Sequence, residues 1–233
     1  MTKGDIMNEN DIRKIVSQVL SSIENNSRPI PIESSARHVH LTKEAVELLF
    51  GKGATLTKKR DLSQPGEFLS EQRLKLVTAK GEIANVAVLG PERKAVQVEL
   101  SMTDCRSLGI KAPVNLSGDL TNAGSVYLVS ENAVLNAAGS VIVAKNHIHM
   151  TPQDAALYSV KDGQSVRVKA DTDRPVTFED VTVRVSEKFS LAMHIDFDEA
   201  NACCLQKAKS LYKEDSLWKI YLMRLWLSLL QKK

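Results

Sequence analysis

Four of the five histidines in this 233-residue chain stand in two His-x-His stretches. His38 and His40 lie in "RHVHL", and His147 and His149 lie in "NHIHM". Residues i and i+2 of a β-strand point to the same face, so two imidazoles at this spacing can converge on one metal ion. A third ligand from a neighbouring strand would leave coordination positions open, which is typical of a catalytic rather than a structural zinc site.

The sequence around the two stretches is duplicated, and the duplication supplies the third ligands. "RHVHLTKEAVELLF" aligns with "NHIHMTPQDAALYS", and "AVQVELSMTDCR" aligns with "SLAMHIDFDEAN". This alignment sets Glu99 opposite His194, the fifth histidine. We therefore expect two ligand sets: His38, His40 and Glu99 in the first copy, and His147, His149 and His194 in the second. Mixed imidazole and carboxylate ligands suit zinc, iron, cobalt or manganese, and the spacing allows both separate and adjacent sites.

A candidate anion-binding residue lies close to these ligands in the sequence. Arg93, in "GPERKAV", precedes Glu99 by six residues, an even spacing that sets both on one face only if no turn intervenes. The guanidinium fork can bind a phosphate or a carboxylate through two hydrogen bonds. A solvent-exposed arginine with no such role is the commoner case, so both interpretations stay open.

Composition and charge narrow the class of protein. The chain is 43% hydrophobic and 25% charged, which is ordinary for a globular protein with a buried core. Its formal net charge is only +3, Lys and Arg are dispersed and aromatic residues make up 5%, so no nucleic-acid-binding surface is expected. Cys105, Cys203 and Cys204 form no CxxC pair, which favours structural thiols in a reducing cytosol. The first residues lack a signal-peptide apolar core.

Short strands must position the candidate ligands. From residue 30 onward, segments such as "SVYLVS", "SVRVKA" and "VTVRVS" alternate apolar and polar residues, and residues 73–90 predict a β-hairpin. Brief helices are predicted at residues 42–50 and 151–159, with Thr42 and Thr151 as N-caps. Many short strands joined by turns that contain Gly, Asp and Asn predict a mainly β fold of the barrel or sandwich type.

Residues 10–24 predict an amphipathic helix that stands apart from the strands. Their apolar side chains recur at i, i+3 and i+4, and "NNSRPIP" then breaks the pattern as a linker would. The helix either packs on the body of the protein or serves as a docking peptide whose apolar face binds a partner.

The apolar segment at residues 216–233 contains both tryptophans. Its apolar stretch is too short for a membrane span. A packed helix, an interface helix, a membrane-surface helix and an altered reading frame are all compatible with it. We favour a helix that packs on the body or in an oligomer.

Six segments of the chain, taken in order, resemble one family. They are "RHVHL", "QPGEF", "VLGPERKAVQVELSMTDCRSLGI", "SGDL", "VIVAKNHIHMTPQDA" and "LAMHIDFDEANA". Over residues 29–204 the chain resembles the phosphate propanoyltransferase family, the phosphotransacylases of bacterial microcompartments. The resemblance implies a mainly β fold of two duplicated small antiparallel β-barrel domains with short capping α-helices. It also implies interconversion of a short-chain acyl-CoA (propanoyl-CoA or acetyl-CoA) plus phosphate with acyl phosphate plus CoA.

The same resemblance implies roles for the candidate residues. Two divalent metal ions, with zinc expected, would be held at adjacent sites, and CoA would meet the first metal through its sulfur. Arg93 would bind phosphate. The ligands would be His38, His40 and Glu99 for the first metal, and His147, His149 and His194 for the second.

The resemblance also sets expectations for organisation and partners. Residues 1–28 would be a targeting helix and linker that bind microcompartment shell or cargo proteins through residues 10–24, in the compartment lumen. We expect a first barrel half at 29–118, a second at 119–204 with strand exchange allowed between them, and an apolar C-terminal helix over 205–233. A homo-oligomer is expected, and neither a nucleic-acid partner nor a membrane span is.

Two other functions are compatible with the same residues. A metal-dependent hydrolase needs only a metal-bound water, and a non-catalytic, metal-stabilised β-barrel could act as a binding module or associate with a shell. Arg93 favours the transferase over the hydrolase, because hydrolysis needs no phosphate clamp. Open coordination positions favour an enzyme over a binding module.

Overall fold

The computed structural model describes residues 10, 13–17, 29–205 and 210–213. Its strands and labelled helices follow in this order: β1 (Ile30–Ser35), β2 (His38–His40), α1 (Lys43–Phe50), β3 (Lys58–Asp61), β4 (Phe68–Val77), β5 (Glu82–Gly90), β6 (Gln97–Leu100), α2 (Met102–Leu108), β7 (Val114–Asn115), β8 (Gly124–Val129), β9 (Val134–Ala144), β10 (His147–Met150), α3 (Pro152–Leu157), β11 (Ser165–Ala170), β12 (Val176–Val185), β13 (Ala192–Asp196), α4 (Phe197–Ala202) and β14 (Ser210–Lys213).

One sheet closes into a barrel. Its strand order is β1, β13, β10, β12, β11 and β14, and β14 pairs with β1 to complete the ring. β1 runs parallel to β13 and β10 runs parallel to β12, whereas the other neighbours are antiparallel. Closure leaves no open edge along this ring.

The other sheet has eight strands, most of which follow the order β3, β4, β5, β2, β6, β9 and β7. The remaining strand, β8, pairs with both β4 and β9. These pairings join β4, β5, β2, β6, β9 and β8 into a second continuous ring, with β3 and β7 attached outside it. Its β2–β5 and β6–β9 pairs are parallel, in the same relative places as the parallel pairs of the barrel.

The matching rings define two structural repeats, β1 to β8 and β9 to β14. Strands β2, β5 and β6 of the first repeat correspond to β10, β12 and β13 of the second, with the same relative directions. The leading strand of each repeat lies in the ring of the other: β1 pairs with β13, and β9 pairs with β6. With β8 as the last strand of the first repeat and β9 as the first strand of the second, the junction between the repeats lies between Val129 and Val134.

Each ring encloses its own apolar core. Val39, Leu76, Val88 and Val98 belong to the core of the eight-stranded sheet. Ile32, Ile148, Val183 and Met193 belong to the core of the barrel. Within a strand such as β4, buried apolar residues occupy alternate positions, for example Leu74 and Leu76, because successive side chains point to opposite faces.

Short capped helices follow the strands that carry the candidate ligands. Thr42 accepts a hydrogen bond from the backbone N–H of Ala45 and caps α1, as predicted. Thr151 forms a reciprocal capping box with Asp154 at the start of α3, also as predicted. Each of these two helices begins shortly after a His-x-His strand, so its cap marks the end of that strand.

The expected mainly β fold is confirmed, and residues 73–90 do form the predicted antiparallel hairpin of β4 and β5. The sheets are mixed rather than wholly antiparallel. The parallel pairs join strands that are distant in the chain, such as Glu33 beside His194, which local sequence patterns do not predict.

Much of the two predicted terminal helices lies outside the described residues. Residues 10 and 13–17 are helical, and the side chains of Ile15 and Val16 are 47% and 49% exposed. Within 205–233, where a helix was expected, residues 210–213 instead form β14, which fills the gap between β1 and β11. The apolar segment 216–233 lies outside the described residues. Among the helices that are described, none is long and apolar enough to cross a membrane.

Candidate metal centre and anion-binding cavity

Backbone register brings each His-x-His stretch to its third candidate ligand. In the first repeat His38 lies opposite Glu99 across β2 and β6. In the second repeat His147 lies opposite His194 across β10 and β13. The sequence alignment of Glu99 with His194 is thus reproduced by the strand pairing.

The first set of candidate ligands is compact and buried. Single ligand atoms of His38, His40 and Glu99 all lie within 4.8 Å of one another, and these residues could hold a metal ion. His38 Nδ1 donates to the Ala36 carbonyl at 2.8 Å, which leaves Nε2 free 3.4 Å from Glu99 Oε2. A backbone carbonyl that fixes one ring nitrogen commonly orients the other toward a metal.

Two polar side chains hold the Glu99 carboxylate. Gln97 Nε2 donates to Glu99 Oε1 at 2.6 Å, and Ser117 Oγ donates to the same oxygen at 2.7 Å. Burial alone would raise the pKa of Glu99, but the His38 ring, the Ser117 hydrogen bond and the Arg93 charge together hold it below its ordinary value. The carboxylate therefore stays ionised with Oε2 directed at His38.

The second set brings three imidazoles together. The ring centroids of His147 and His149 are 4.7 Å apart, those of His147 and His194 are 5.3 Å apart, and those of His149 and His194 are 4.9 Å apart. His147 Nδ1 donates to the Lys145 carbonyl at 2.8 Å, which repeats the arrangement at His38. Gln64 Nε2 lies 3.4 Å from His194 Nε2.

Burial favours the neutral form of four of the candidate histidine ligands. Burial lowers the pKa of His149 to about 2 and that of His194 to about 4, with contributions from neighbouring histidines. Burial also lowers the pKa of His40 well below its ordinary value, and that of His147. A neutral imidazole is the form that binds a metal.

Buried nitrogens without partners supply an independent test of a metal site. Among the described residues, His40 Nδ1 and both ring nitrogens of His149 are buried and make no hydrogen bond. Buried polar atoms are normally satisfied, because an unmade hydrogen bond costs free energy. Unsatisfied imidazole nitrogens in each ligand set fit residues that bind a divalent cation.

Both ligand sets line one cavity of about 460 Å³, together with Arg93. The Arg93 guanidinium donates to Ser117 Oγ at 3.2 Å and to Glu67 Oε1 at 3.0 Å. The turn that follows β5 redirects the chain, and the Arg93 backbone N–H donates to the Leu41 carbonyl at 2.8 Å. Arg93 therefore does not share a strand face with Glu99, as the even spacing between them had allowed. It reaches the cavity from the turn after β5.

Several lining residues were not predicted from the sequence. The Gln64 side chain donates to the Ser190 carbonyl at 3.0 Å and accepts from the Ser190 backbone N–H at 3.2 Å. These two hydrogen bonds connect the loop after β3 to the segment that precedes His194. Arg184 and Phe189 also line the cavity. Two other residues of the site, Gln97 and Ser117, could have been found from the sequence. Gln97 shares a strand face with Glu99, and Ser117 begins the "SGDL" segment.

Comparison with known proteins decides the family. The family model for phosphate propanoyltransferase matches residues 31–206. The chain belongs to this family. The phosphate propanoyltransferase of Alkaliphilus metalliredigens is 48% identical over 203 residues, which cover 86% of this chain and 96% of that protein.

Other phosphate propanoyltransferases match over similar lengths. The protein of Enterococcus faecalis is 48% identical over 208 residues, covering 89% of this chain and 96% of its own. That of Priestia megaterium is 46% identical over 215 residues, covering 89% of this chain and 99% of its own. The expected enzyme class, a phosphate acyltransferase, is confirmed. The matches favour it over the hydrolase and the binding module.

Proposed function

We propose that this phosphate propanoyltransferase family member transfers a short acyl group between CoA and inorganic phosphate at a two-metal site. His38, His40 and Glu99 hold one divalent ion, and three histidines hold the other. The observation that supports this most is the convergence of both ligand sets and Arg93 on one cavity. The second ion's ligands are His147, His149 and His194.

Zinc is the proposed ion, because neutral imidazoles with one carboxylate are suitable ligands for it. A divalent metal held by these residues would supply Lewis-acid polarisation of the thioester carbonyl and stabilisation of the departing thiolate. The protein residues fix the ligand directions: the Ala36 and Lys145 carbonyls orient the His38 and His147 rings. Gln97 and Ser117 hold the Glu99 carboxylate in place.

Arg93 positions the phosphate nucleophile. Its guanidinium is steadied by Glu67 and Ser117 at the cavity wall, so the fork can bind phosphate without first being ordered. A phosphate oxygen bonds to the thioester carbon and the carbon–sulfur bond breaks, giving acyl phosphate and CoA. The proton lost by phosphate ends on the CoA thiol, or in water when the thiolate is released.

The proposed acyl groups are propanoyl and acetyl. They differ by one methylene, which contributes only about 0.8 kcal/mol when buried, so discrimination between them is expected to be modest. The name phosphate propanoyltransferase, carried by the relatives, supports propanoyl as the first substrate to test.

A single assay separates the proposal from its alternatives. CoA release from propanoyl-CoA and acetyl-CoA is followed with and without inorganic phosphate, using metal-loaded full-length protein. Release that depends on phosphate and yields acyl phosphate is the expected result. Phosphate-independent release with formation of the free acid would indicate a hydrolase, and no release would indicate a binding module.

Metal content is measured on the same preparation. About two equivalents of zinc or another divalent transition metal per chain are expected, one for each ligand set. Activity that persists at full rate after chelation, with no metal in the protein, would overturn the two-metal proposal.

We further propose that residues 10–24 bind a shell or cargo protein and place the enzyme in a microcompartment lumen. The exposure of Ile15 and Val16 supports this, since a helix packed on the body would bury them. Deleting residues 1–26 should preserve activity and abolish packaging in a host that builds compartments. A fluorescent protein fused to residues 1–26 should enter those compartments, and a reporter that stays diffuse would contradict the proposal.

We also propose that the enzyme is a homo-oligomer, and light scattering of the purified enzyme tests this.

A further inference from the structure

The two repeats differ at a position that faces the cavity. Residues 86–99 align with residues 181–194 without a gap, which sets Leu89 against Arg184. The strand registers agree with this alignment, because Leu89 pairs with His40 and Arg184 pairs with His149. One repeat therefore carries an apolar side chain beside its histidines, and the other carries a guanidinium there.

An aromatic ring accompanies this guanidinium. The Arg184 Cζ atom lies 5.7 Å from the centroid of the Phe189 ring, within the range of a cation–π contact. His149 stacks on Phe189 with centroids 4.0 Å apart and an interplanar angle of 25°. The residue aligned with Phe189 in the first repeat is the exposed Lys94. At these two aligned positions the first repeat has an apolar residue and then a charged one, and the second repeat has the reverse order. The charged residue of the second repeat, Arg184, lines the cavity.

Among the described residues no carboxylate forms a salt bridge with Arg184, although the negative charges of Glu99, Asp162 and Glu67 act on it. Arg184 lines the cavity and is partly buried, yet among the described residues it makes no hydrogen bond and no salt bridge. Arg93, in contrast, is bound to Glu67 and Ser117. Burial and the charge of Arg93 lower the pKa of Arg184. A partly buried guanidinium whose N–H donors find no acceptor is costly, and an anion in the cavity would relieve that cost.

We propose that Arg184 is a second anion-binding residue, which holds the phosphoryl group of phosphate and acyl phosphate together with Arg93. The inference rests on the proposed acyl transfer to phosphate. Two guanidinium groups from different repeats suit a dianion, because each fork can bind two of its oxygens. The first repeat has the apolar Leu89 at the equivalent place, so the guanidinium charge that acts on His40 comes from Arg93.

The kinetic test replaces Arg184 by the residue of the other repeat. Arg184→Leu should raise the KM for phosphate about ten- to hundredfold, because a hydrogen bond to a charged group is lost. The KM for propanoyl-CoA should change by less than about twofold, and metal content should be unchanged. Arg184→Lys should recover part of the phosphate affinity but not all, since lysine lacks the fork.

Two further variants separate binding from structure. Arg174→Leu, in an exposed loop, is the matched control and should behave as wild type. Arg184→Met tests whether any effect belongs to leucine packing rather than to the lost charge. An unchanged phosphate KM in folded, metal-loaded Arg184→Leu would overturn the proposal. So would a parallel loss of metal and of both substrate affinities in Arg184→Leu and Arg184→Met.

Calorimetry with inorganic phosphate alone provides an equilibrium measurement. Metal-loaded wild type should bind phosphate at least about tenfold more tightly than Arg184→Leu, and equal affinities would refute the role of Arg184. Failure of the proposed function would look different: wild type would show no phosphate-dependent release of CoA, whatever the phosphate affinities of the two proteins.

Discussion

His38 and Glu99 face each other across β2 and β6, with Nε2 and Oε2 3.4 Å apart, and His147 and His194 occupy the corresponding pair across β10 and β13. Both pairs couple a residue of a His-x-His strand to an antiparallel neighbour. Among the candidate ligands themselves, the carboxylate of Glu99 is what distinguishes the first set from the second. Replacing the charged Glu99 carboxylate by a neutral group should therefore lower metal occupancy at the first site more than at the second.

Glu99→Gln should lower metal occupancy by about one equivalent per chain, because the amide oxygen is a weaker ligand than an ionised carboxylate and carries no charge. The three histidines of the second set should retain their metal. Elemental analysis after dialysis against a weak chelator provides the measurement. Glu71→Gln, at an exposed position of β4, is the control and should keep full occupancy. A full complement of metal in Glu99→Gln would contradict the assignment.

Gln97→Ala should weaken the first metal site by about tenfold, the loss typical of removing a residue that orients a ligand. Gln97 donates to Glu99 and accepts from the backbone N–H of Gly118, and its counterpart opposite His149 is Ala192. Affinity is read from chelator competition. If Gln97→Ala and wild type lose metal at the same chelator concentration, the orienting role is wrong.

Arg93→Ala should raise the KM for phosphate or lower kcat sharply while metal content stays constant. Arg93→Lys should restore this only in part, because the bidentate contact is not available to lysine. The neighbouring exposed Lys94→Ala is the matched control and should leave both constants near wild type. Wild-type turnover by Arg93→Ala across all phosphate concentrations would exclude Arg93 as a phosphate ligand.

The metal-free enzyme should lose stability in mild acid. Burial lowers the folded-state pKa of His149 to about 2 and that of His194 to about 4, whereas an unfolded histidine titrates near 6.5. The unfolded chain then binds more protons, so this stability is complete above pH ~6.5 and is lost as the pH falls toward the folded values.

Urea unfolding of chelator-treated protein between about pH 7.5 and 5 measures this effect. The free energy of unfolding should approach a decline of about 1.4 kcal/mol per pH unit for each buried histidine. His194→Gln should show a shallower decline than wild type. Identical pH profiles for the two proteins would show that His194 is not buried in its neutral form.

Cys204 should be the thiol that reacts fast in the native enzyme. Cys105 and Cys203 are buried, and Cys204 is exposed. Burial raises the pKa of the Cys105 thiol to about 11 and also raises that of Cys203, and only the thiolate attacks a disulfide reagent. Cys204→Ser should abolish the fast phase of an Ellman's reagent assay, whereas Cys105→Ser should leave it intact.

The sequence predicts the candidate ligands well because two local signals coincide at them. The i, i+2 spacing sets His38 and His40 on one strand face, and the internal alignment finds Glu99 and His194 without knowledge of the pairing. Thr42 and Thr151 are predicted as caps for a similar reason, since an N-cap depends on a few adjacent residues.

Other parts of the site depend on contacts between distant segments. Gln64 reaches Ser190 through a loop whose path is set by the fold of both repeats. From the sequence, Arg184 is one of the polar residues of an alternating strand and has no visible link to the candidate ligands. Its place at the cavity follows from the pairing of β12 with β10, which sets Arg184 beside His149. The partner of β1 was likewise unpredictable, because the edge it completes is built by residues near the other end of the chain.

The exchange of β1 and β9 has a consequence for how such a protein is made. A polypeptide with a single repeat would lack one strand of its own ring. It could complete the ring only by domain swapping, in which a second copy supplies the missing strand. In the covalent chain of two repeats this exchange is intramolecular: the eight-stranded sheet needs β9 from the second repeat, and the barrel needs β1 from the first. Unfolding of the two halves should therefore occur as one cooperative transition, and two fragments divided between Val129 and Val134 and expressed separately should regain structure only when they are mixed.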